Sequence, residues 1–462
     1  MPTFVRQSAL PVGASALAAY HERPGALERL VPPWERVEVR SRTGDVYEGR
    51  AEMVIRSGLF PIRWEAVHAG GVPGRFFVDR QGHGPFRTYA HTHTFVPVTD
   101  TTCELRDEIA WEAPFGALGA WVGDVEARLA RGFAFRHRRT AEDLARHAAF
   151  PLGPQRVLVS GASGLVGAQL IAFLQVGGHE VIRLVRRAPR AGEARWEPAQ
   201  GVIDLAPVGK IDAVIHLSGE SVSKRWTPAR KAEIIASREQ STLLLASALT
   251  KLETRPRVFI SASAVGWYGD RGQEVLTEES TPGTTGFLPE VCRRWEDATK
   301  PAKDAGISVV NLRIGVVLSA RGGALAELLP PVLAGVGGPL GAGTQMFPWI
   351  AIDDLVYLVH WLLGAGLTGP IHATAPTPVS NALFMATIGK VTRRPTFLRL
   401  PAFVVATLFG EMGREVLLGG QNAVPARALA AGFRFTFPDL ESAIRWELGK
   451  PKPGSGSSGA GP

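Results

Sequence analysis

The run Arg156-Val-Leu-Val-Ser160 is followed at once by Gly161-Ala-Ser-Gly164-Leu-Val-Gly167, and a helical pattern begins inside the glycines. This strand–glycine–helix order constrains the chain more than any other feature. Small residues permit a tight turn, let backbone amides approach a pyrophosphate, and present that group to a helix N-terminus. A second apolar run, Glu180–Val185, comes at the distance expected of a βαβ unit. The segment predicts a dinucleotide site, with Gly161, Gly164 and Gly167 around the pyrophosphate and Leu165 and Val166 in the first helical turn.

A site built for NAD carries an acidic residue at the end of the second strand, where it accepts hydrogen bonds from the ribose. Here the strand ends Leu184-Val185-Arg186-Arg187. A guanidinium cannot accept from a hydroxyl, but it pairs well with a 2′-phosphate. NADP is therefore favoured over NAD, with Arg186 and Arg187 as the contacts. The alternative is two solvated surface arginines.

From Arg156 to about Gly315 strands and helices alternate, with further strands at Asp212–Leu217, Val258–Ser263 and Ser308–Ile314. A helix over Thr227–Lys251 has Thr227 as N-cap and Pro228 at its first position. This order predicts a doubly wound parallel sheet. Before a boundary near Phe150–Pro154 the pattern differs. One or two helices near Ala14–Leu30 precede short alternating strands at Val37–Arg42, Glu48–Arg56, Arg63–Val67, Arg75–Asp79, Thr88–Phe95 and Cys103–Trp111. A long helix, Gly116–Arg139, follows with Leu118, Trp121, Val122, Val125, Leu129 and Phe133 on one stripe. Strands curving around that helix make an α+β domain with an internal cavity. The fold class is thus α/β overall, with domains over 1–150, 155–365 and a small C-terminal lobe over 366–448. A loop follows Gly322, and the Gly/Pro/Ser tail 449–462 is expected to be disordered.

Composition narrows the classes of function. Hydrophobic residues at 45% and charged residues at 20% suit globular domains, and two cysteines exclude a disulfide framework. The net charge of +8 rests on arginines interspersed with acids, with no lysine before Lys210, so no nucleic-acid partner is expected. The N-terminus lacks the apolar core of a signal peptide, and the apolar runs 355–367 and 402–410 are too short for a membrane span. A cytoplasmic protein is expected, and a homodimer is left open.

Several other residues invite chemistry. His91 and His93 lie on one face of a strand and offer two metal nitrogens, but spacing does not fix a third, with His83 the nearest candidate. No metal is expected. Asp353 and Asp354 read as the N-cap and dipole partner of a helix over Leu355–Leu363, or as substrate contacts. The loop Gly335–Gly343 either borders a substrate cleft or simply turns. Trp64, Phe76, Phe77, Phe86, Tyr89 and Phe95 either line an apolar cavity or form the core of the first domain.

The stretch 156–437 resembles the extended, epimerase-type short-chain dehydrogenases/reductases. It is closest to their atypical subfamily of nucleoside-diphosphate-sugar epimerase-like proteins with a small uncharacterised C-terminal domain. The glycine spacing carries this resemblance, as do Asp212-Ala-Val-Ile-His-Leu-Ser-Gly-Glu220, Ser261-Ala-Ser-Ala-Val-Gly-Trp-Tyr-Gly269 and Leu312-Arg-Ile-Gly-Val-Val-Leu318. Gly369-Pro-Ile-His-Ala-Thr-Ala375, Gln421 and Pro425 match the C-terminal domain. The first domain resembles the START-like (SRPBCC) ligand-binding superfamily, through Arg23-Pro-Gly25, Pro32-Pro-Trp34 and Gly84-Pro-Phe86.

The resemblance implies an NADP(H)-binding protein with Leu217, Ser218 and Gly219 bordering the cofactor. It also exposes a departure. The usual Tyr-x-x-x-Lys pair, in which lysine lowers the tyrosine pKa, falls on Leu288 and Cys292. The named subfamily shares this lack. Ser263 and Tyr268 are the remaining proton-transfer candidates, and Cys292 reads as a small core residue before a reactive thiol. The expected function is an NADP(H)-dependent epimerase or oxidoreductase acting on a small molecule. The alternatives are a non-catalytic NADP(H)-responsive sensor whose first domain binds an apolar ligand, and a binding module for a lipid or polyketide-like ligand.

Overall fold

A computed structural model describes residues 1–57, 60–113 and 125–450. The chain divides into two compact units, Met1–Pro151 with Ala172–Gly178, and Leu152–Ile171 with His179–Pro462.

The first unit is built on one antiparallel sheet of seven strands. These are β1 (Thr3–Leu10), β2 (Arg36–Gly44), β3 (Gly49–Ser57), β4 (Phe60–Val72), β5 (Phe76–His83), β6 (Thr88–Thr99) and β7 (Thr102–Glu112), in the order β1-β7-β6-β5-β4-β3-β2. The alternating segments of the sequence form six of them. Strand β1 was not anticipated; its alternation (Thr-Phe-Val-Arg-Gln-Ser-Ala-Leu) is weak, and its pairing with β7 holds it. Helices α1 (Ala14–Glu22) and α2 (Ala26–Leu30) precede β2, and α3 (Val125–Ala148) follows β7. Leu118, Trp121 and Val122 of the expected helix lie outside the described residues. Phe133 of α3 packs on Ile109 and Trp111 of β7, with Val125 and Leu129 beside it. The ends of α2 and α3 are locked by a buried ion pair: Arg29 donates Nε and Nη2 to Asp143 at 2.8 and 2.6 Å, and Tyr20 donates to the same carboxylate at 2.9 Å. This is a START-like, helix-grip arrangement.

The second unit holds an eight-stranded sheet. Its strands are β8 (Arg156–Ser160), β9 (Glu180–Val185), β10 (Glu193–Glu197), β11 (Val202–Ile203), β12 (Ala213–His216), β13 (Val258–Ala264), β14 (Ser308–Ile314) and β15 (Gly369–Ala373). Their order is β11-β10-β9-β8-β12-β13-β14-β15, all parallel except β11. Fully buried runs such as Val157-Leu-Val159 and Ala213-Val-Ile215 explain the continuous apolar reading of these strands. Helix α4 (Leu165–Val176) follows the glycines, and α5 (Pro228–Thr250) begins where Thr227 Oγ1 accepts from Arg230 N at 3.2 Å. Leu245, Ala246 and Leu249 of α5 pack on Leu158, Val214 and Phe259 of the sheet. Helix α6 (Phe287–Asp297) follows β13.

Two expectations change in the C-terminal part. Residues Gly323–Leu333, read as a loop, are helical despite Pro330 and Pro331, because Leu325 and Val332 are fully buried in a core with Trp349, Phe384 and Phe437. Asp353 and Asp354 are not an N-cap, because helix α7 (Ile352–Leu362) starts before them, after Ala351, but both lie in its first turn, where the dipole favours them. Both are buried anchors. Asp354 accepts from Thr436 N and Phe437 N at 2.7 and 2.9 Å, and Asp353 from Trp446 Nε1 at 2.8 Å. Among the described residues no helix is long and apolar enough to cross a membrane.

Candidate functional site

The strand order reverses direction between β8 and β12, and at such a switch point the carboxyl ends of the strands open a crevice. A cleft of about 990 Å³ lies there, lined by Gly161–Gly164 after β8, Leu184–Arg187 at the end of β9, and Leu217–Glu220 after β12. The glycines have physical reasons to be glycine. Gly161 has φ +73°, and a Cβ there would stand 2.7 Å from Leu217 C and 3.0 Å from Ser218 N. A Cβ on Gly167 would meet Gly161 O at 2.2 Å, so this glycine lets α4 seat on the turn. Gly164, by contrast, has only Gly161 O at 3.3 Å, which leaves its open side to the cleft. Leu165 and Val166 form the first turn of α4 and are not among the lining residues. A side chain on Gly322 would touch Leu165 at 3.5 Å.

At the far end of the cleft the two arginines differ. Arg187 is spent: Nη1 and Nη2 donate to Glu193 at 2.7 and 2.6 Å, and Nη1 also reaches Ala188 O at 2.9 Å. Glu193 is held below the usual carboxylate range chiefly by that hydrogen bonding. Arg186 also lines the cleft and is exposed, with no hydrogen bond or ion pair among the described residues.

The strand β13 carries Ser263, 2% exposed, which donates to Glu296 Oε1 at 2.7 Å. Tyr268, in the turn beyond, is fully buried. His372 Nδ1–H donates to Val424 O at 2.7 Å, so its Nε2 accepts from the Tyr268 hydroxyl at 2.5 Å, and Arg313 Nη1 donates to that hydroxyl at 2.8 Å. Burial pushes the phenol up to about 12, against the pull of Arg313. Neither Ser263 nor Tyr268 lines the cleft. Leu288 and Cys292, on α6, pack toward Gly266: a Cβ there would meet Leu288 Cβ at 3.1 Å and Cys292 Sγ at 3.7 Å. Burial lifts the Cys292 thiol to about 12, which keeps it protonated and unreactive at neutral pH.

Arg238 was not singled out from the sequence, where it reads as one more arginine on a helix. Its guanidinium stacks 4.8 Å from the Trp295 ring centroid and donates to Ile234 O at 3.1 Å. No carboxylate pairs with it among the described residues, and burial lowers its pKa to about 10. A Cβ on Gly219 would lie 3.2 Å from its Cζ, so Arg238 packs directly behind Gly219, which lines the cleft, without lining it itself. Only the packing of α5 beside β12 reveals this.

The first unit has its own cavity, of about 620 Å³. Trp64, Phe77, Phe86 and Tyr89 line it, with His21, His68, Asp79, His91 and His93 among its polar groups. Phe76 does not line it, and Phe95 belongs to the core at 1% exposure. His83 is exposed, opposite Glu65 on β4, and is no neighbour of His91 and His93 in this cavity.

Sheet order, glycine geometry and cleft together define a Rossmann-type dinucleotide-binding protein. Residues 157–372 match the NAD dependent epimerase/dehydratase family, residues 13–137 the polyketide cyclase/dehydrase and lipid transport family, and residues 400–447 a domain of unknown function, DUF1731. The epimerase family protein Mb2239 of Mycobacterium bovis is 39% identical over 298 residues, covering 64% of this chain and 98% of that relative. The crystal structure of a nucleoside-diphosphate sugar epimerase from Corynebacterium glutamicum aligns at TM-score 0.79 and 34% identity, over 96% of this chain and 90% of that one. Human epimerase family protein SDR39U1, crystallised with NADPH, aligns at TM-score 0.59 and 34% identity, over 63% of this chain and 99% of that one. The chain belongs to this NAD(P)-dependent epimerase family, with a START-like domain ahead of the Rossmann domain.

Proposed function

We propose that the second unit binds NADP(H) and acts on a small molecule as an epimerase- or oxidoreductase-like enzyme. The observation that carries the choice of NADP is Arg186: it borders the cleft uncommitted, at the strand end where an NAD site would need a carboxylate. The NADPH in the human SDR39U1 structure supports the same reading. In this assignment Gly161, Gly164 and Gly167 receive the pyrophosphate, and Leu217, Ser218 and Gly219 border the cofactor from β12. Arg238 supplies buried positive charge beside Gly219, suited to a phosphate or an anionic substrate group. The bound nicotinamide supplies hydride transfer. Ser263 is the better of the two proton-transfer candidates, because its oxygen keeps lone pairs free while it donates to Glu296. Tyr268 has its hydroxyl committed to His372 and Arg313 and is assigned a positioning role.

A second reading, NADP(H) binding with little turnover, is favoured by one observation: neither Ser263 nor Tyr268 lines the cleft, and burial raises both Tyr268 and Cys292 away from acting as bases. Calorimetric titration with NADP⁺ and NAD⁺ tests the cofactor assignment. The unmutated protein is expected to prefer NADP⁺, and Arg186→Asp to reverse the preference. Equal affinities, or no change in Arg186→Asp, would overturn it. A substrate screen followed by NADPH oxidation separates the two readings, and brisk turnover that survives Ser263→Ala would remove Ser263 from the chemistry.

A further inference from the structure

The cavity of the first unit holds an unusual concentration of ligating side chains. Strands β5, β6 and β7 are consecutive in the sheet, and their register sets Asp79 opposite His91 and His93 opposite Asp107. His91 and His93, two residues apart, face the same side of β6. One ligand atom from each of Asp79, His91 and His93 lies within 4.8 Å of the others. We infer that Asp79, His91 and His93 form a site for one divalent first-row transition-metal ion, opening on the apolar cavity of the first unit.

The geometry around each group supports this. His91 Nε2 donates to Asp107 Oδ1 at 2.7 Å, which fixes the tautomer and leaves the Nδ1 lone pair as its ligand. His93 Nε2 lies 3.4 Å from Asp79 Oδ2. That is a long hydrogen bond, yet it matches the ~3.3 Å edge of a tetrahedron built on metal–ligand bonds of about 2.0–2.1 Å. His93 Nδ1 lies 2.8 Å from Asp107 Oδ1, so that carboxylate faces the nitrogen away from Asp79 and leaves Nε2 for the ion, in a residue 8% exposed.

A second layer orients the first. His68 Nδ1 meets Asp79 Oδ1 at 2.5 Å. His137 Nε2 donates to Asp107 Oδ2 at 2.7 Å, and Ser8 Oγ donates to His137 Nδ1 at 2.9 Å. Carboxylates that hold the far nitrogen of a ligating imidazole are the usual outer shell of a metal site. Buried Asp107 and part-buried Asp79 also give the pocket negative charge that a divalent cation cancels. Two imidazoles and one carboxylate suit zinc, cobalt or iron better than magnesium or calcium. Three protein ligands leave a coordination position open for an oxygen atom of a small molecule in the cavity.

The full chain, stripped with a chelator and titrated with Co²⁺ and then Zn²⁺, tests the inference. One equivalent of Co²⁺ is expected, with visible ligand-field absorption that Zn²⁺ abolishes. His93→Gln and Asp79→Asn should each weaken Co²⁺ at least tenfold. His137→Gln should weaken it about 10- to 100-fold through the outer shell. His83→Gln, on the exposed end of β5, should leave it unchanged. X-ray absorption of the Zn²⁺-loaded unmutated protein needs no substitution and should report two imidazoles and a carboxylate. Failure of the stripped protein to take up an equivalent would overturn the inference. So would equal binding in His93→Gln and Asp79→Asn, or a sulfur-containing shell.

Discussion

Arg313 holds Glu296 through two parallel hydrogen bonds, Nε to Oε1 at 2.8 Å and Nη2 to Oε2 at 3.0 Å, with both side chains less than a tenth exposed. The same guanidinium lies 4.0 Å from the Trp267 ring centroid and donates to Tyr268, so one cation ties α6 to the turn after β13. Removing a single partner of such a pair leaves the other charge buried and alone. Glu296→Gln is therefore expected to destabilise the second unit by about 3–5 kcal/mol. The combined replacement Glu296→Leu with Arg313→Met should cost less than either change alone. Urea unfolding midpoints check both.

Arg186 and Arg187 are adjacent but not equivalent. Arg186→Ala is expected to weaken NADP⁺ binding by about ten- to a hundredfold, the value of one charge-assisted contact of about 1.5–3 kcal/mol. Arg187→Ala should cost less, since its guanidinium already serves Glu193. Freeing it with Glu193→Gln should partly rescue Arg186→Ala, and calorimetric affinities for the three variants decide the order.

The glycines should separate folding from binding. Gly161→Ala and Gly167→Ala place a Cβ within 3 Å of backbone and are expected to lower the thermal midpoint and abolish nucleotide binding together. Gly164→Ala meets only Gly161 O, at 3.3 Å, among the described residues. It should leave the midpoint nearly unchanged while weakening NADPH, because its Cβ enters the cleft.

His216 gives the second unit a defined pH dependence. Ser160 donates to its Nδ1 at 2.6 Å, its Nε2 faces Thr242 Oγ1 at 2.9 Å, and burial lowers its pKa from 6.5 to about 3. The unfolded chain takes up a proton below pH 6.5 that the folded state refuses. Stability should therefore fall as pH drops from 6.5 toward 3, with a slope of up to about 1.4 kcal/mol per pH unit from this residue. His216→Asn should flatten that slope in chemical denaturation between pH 4 and 7, although the variant is less stable at neutral pH.

Strands β8, β9, β13 and β14 were legible because each is a short apolar run that stays buried on both faces, and α5 because Thr227 and Pro228 mark its start. Strand β10 was not: Glu-Ala-Arg-Trp-Glu has two buried side chains among charges, and pairing with β9 and β11 makes it a strand. The cofactor cleft could be read because its chemistry is local, carried by glycines within seven residues and an arginine at a strand end. Arg238 and Asp79 could not, since their meaning comes from what lies across a helix–strand contact or a hairpin register. The hairpin puts Asp79 beside His91, twelve residues later, where spacing fixed no third partner and His83 was only the nearest candidate.

Three imidazoles converge on Asp107: His91 and His93 on one oxygen, and His137 on the other. A carboxylate with this many dependants cannot be inherited piecemeal. Loss of one histidine strands an acceptor in the interior, and loss of Asp107 strands three rings at once. Descendants of this domain should therefore keep these four positions as a block or surrender them as a block. A chain that has lost only His137 while retaining Asp107, His91 and His93 would be a rare intermediate.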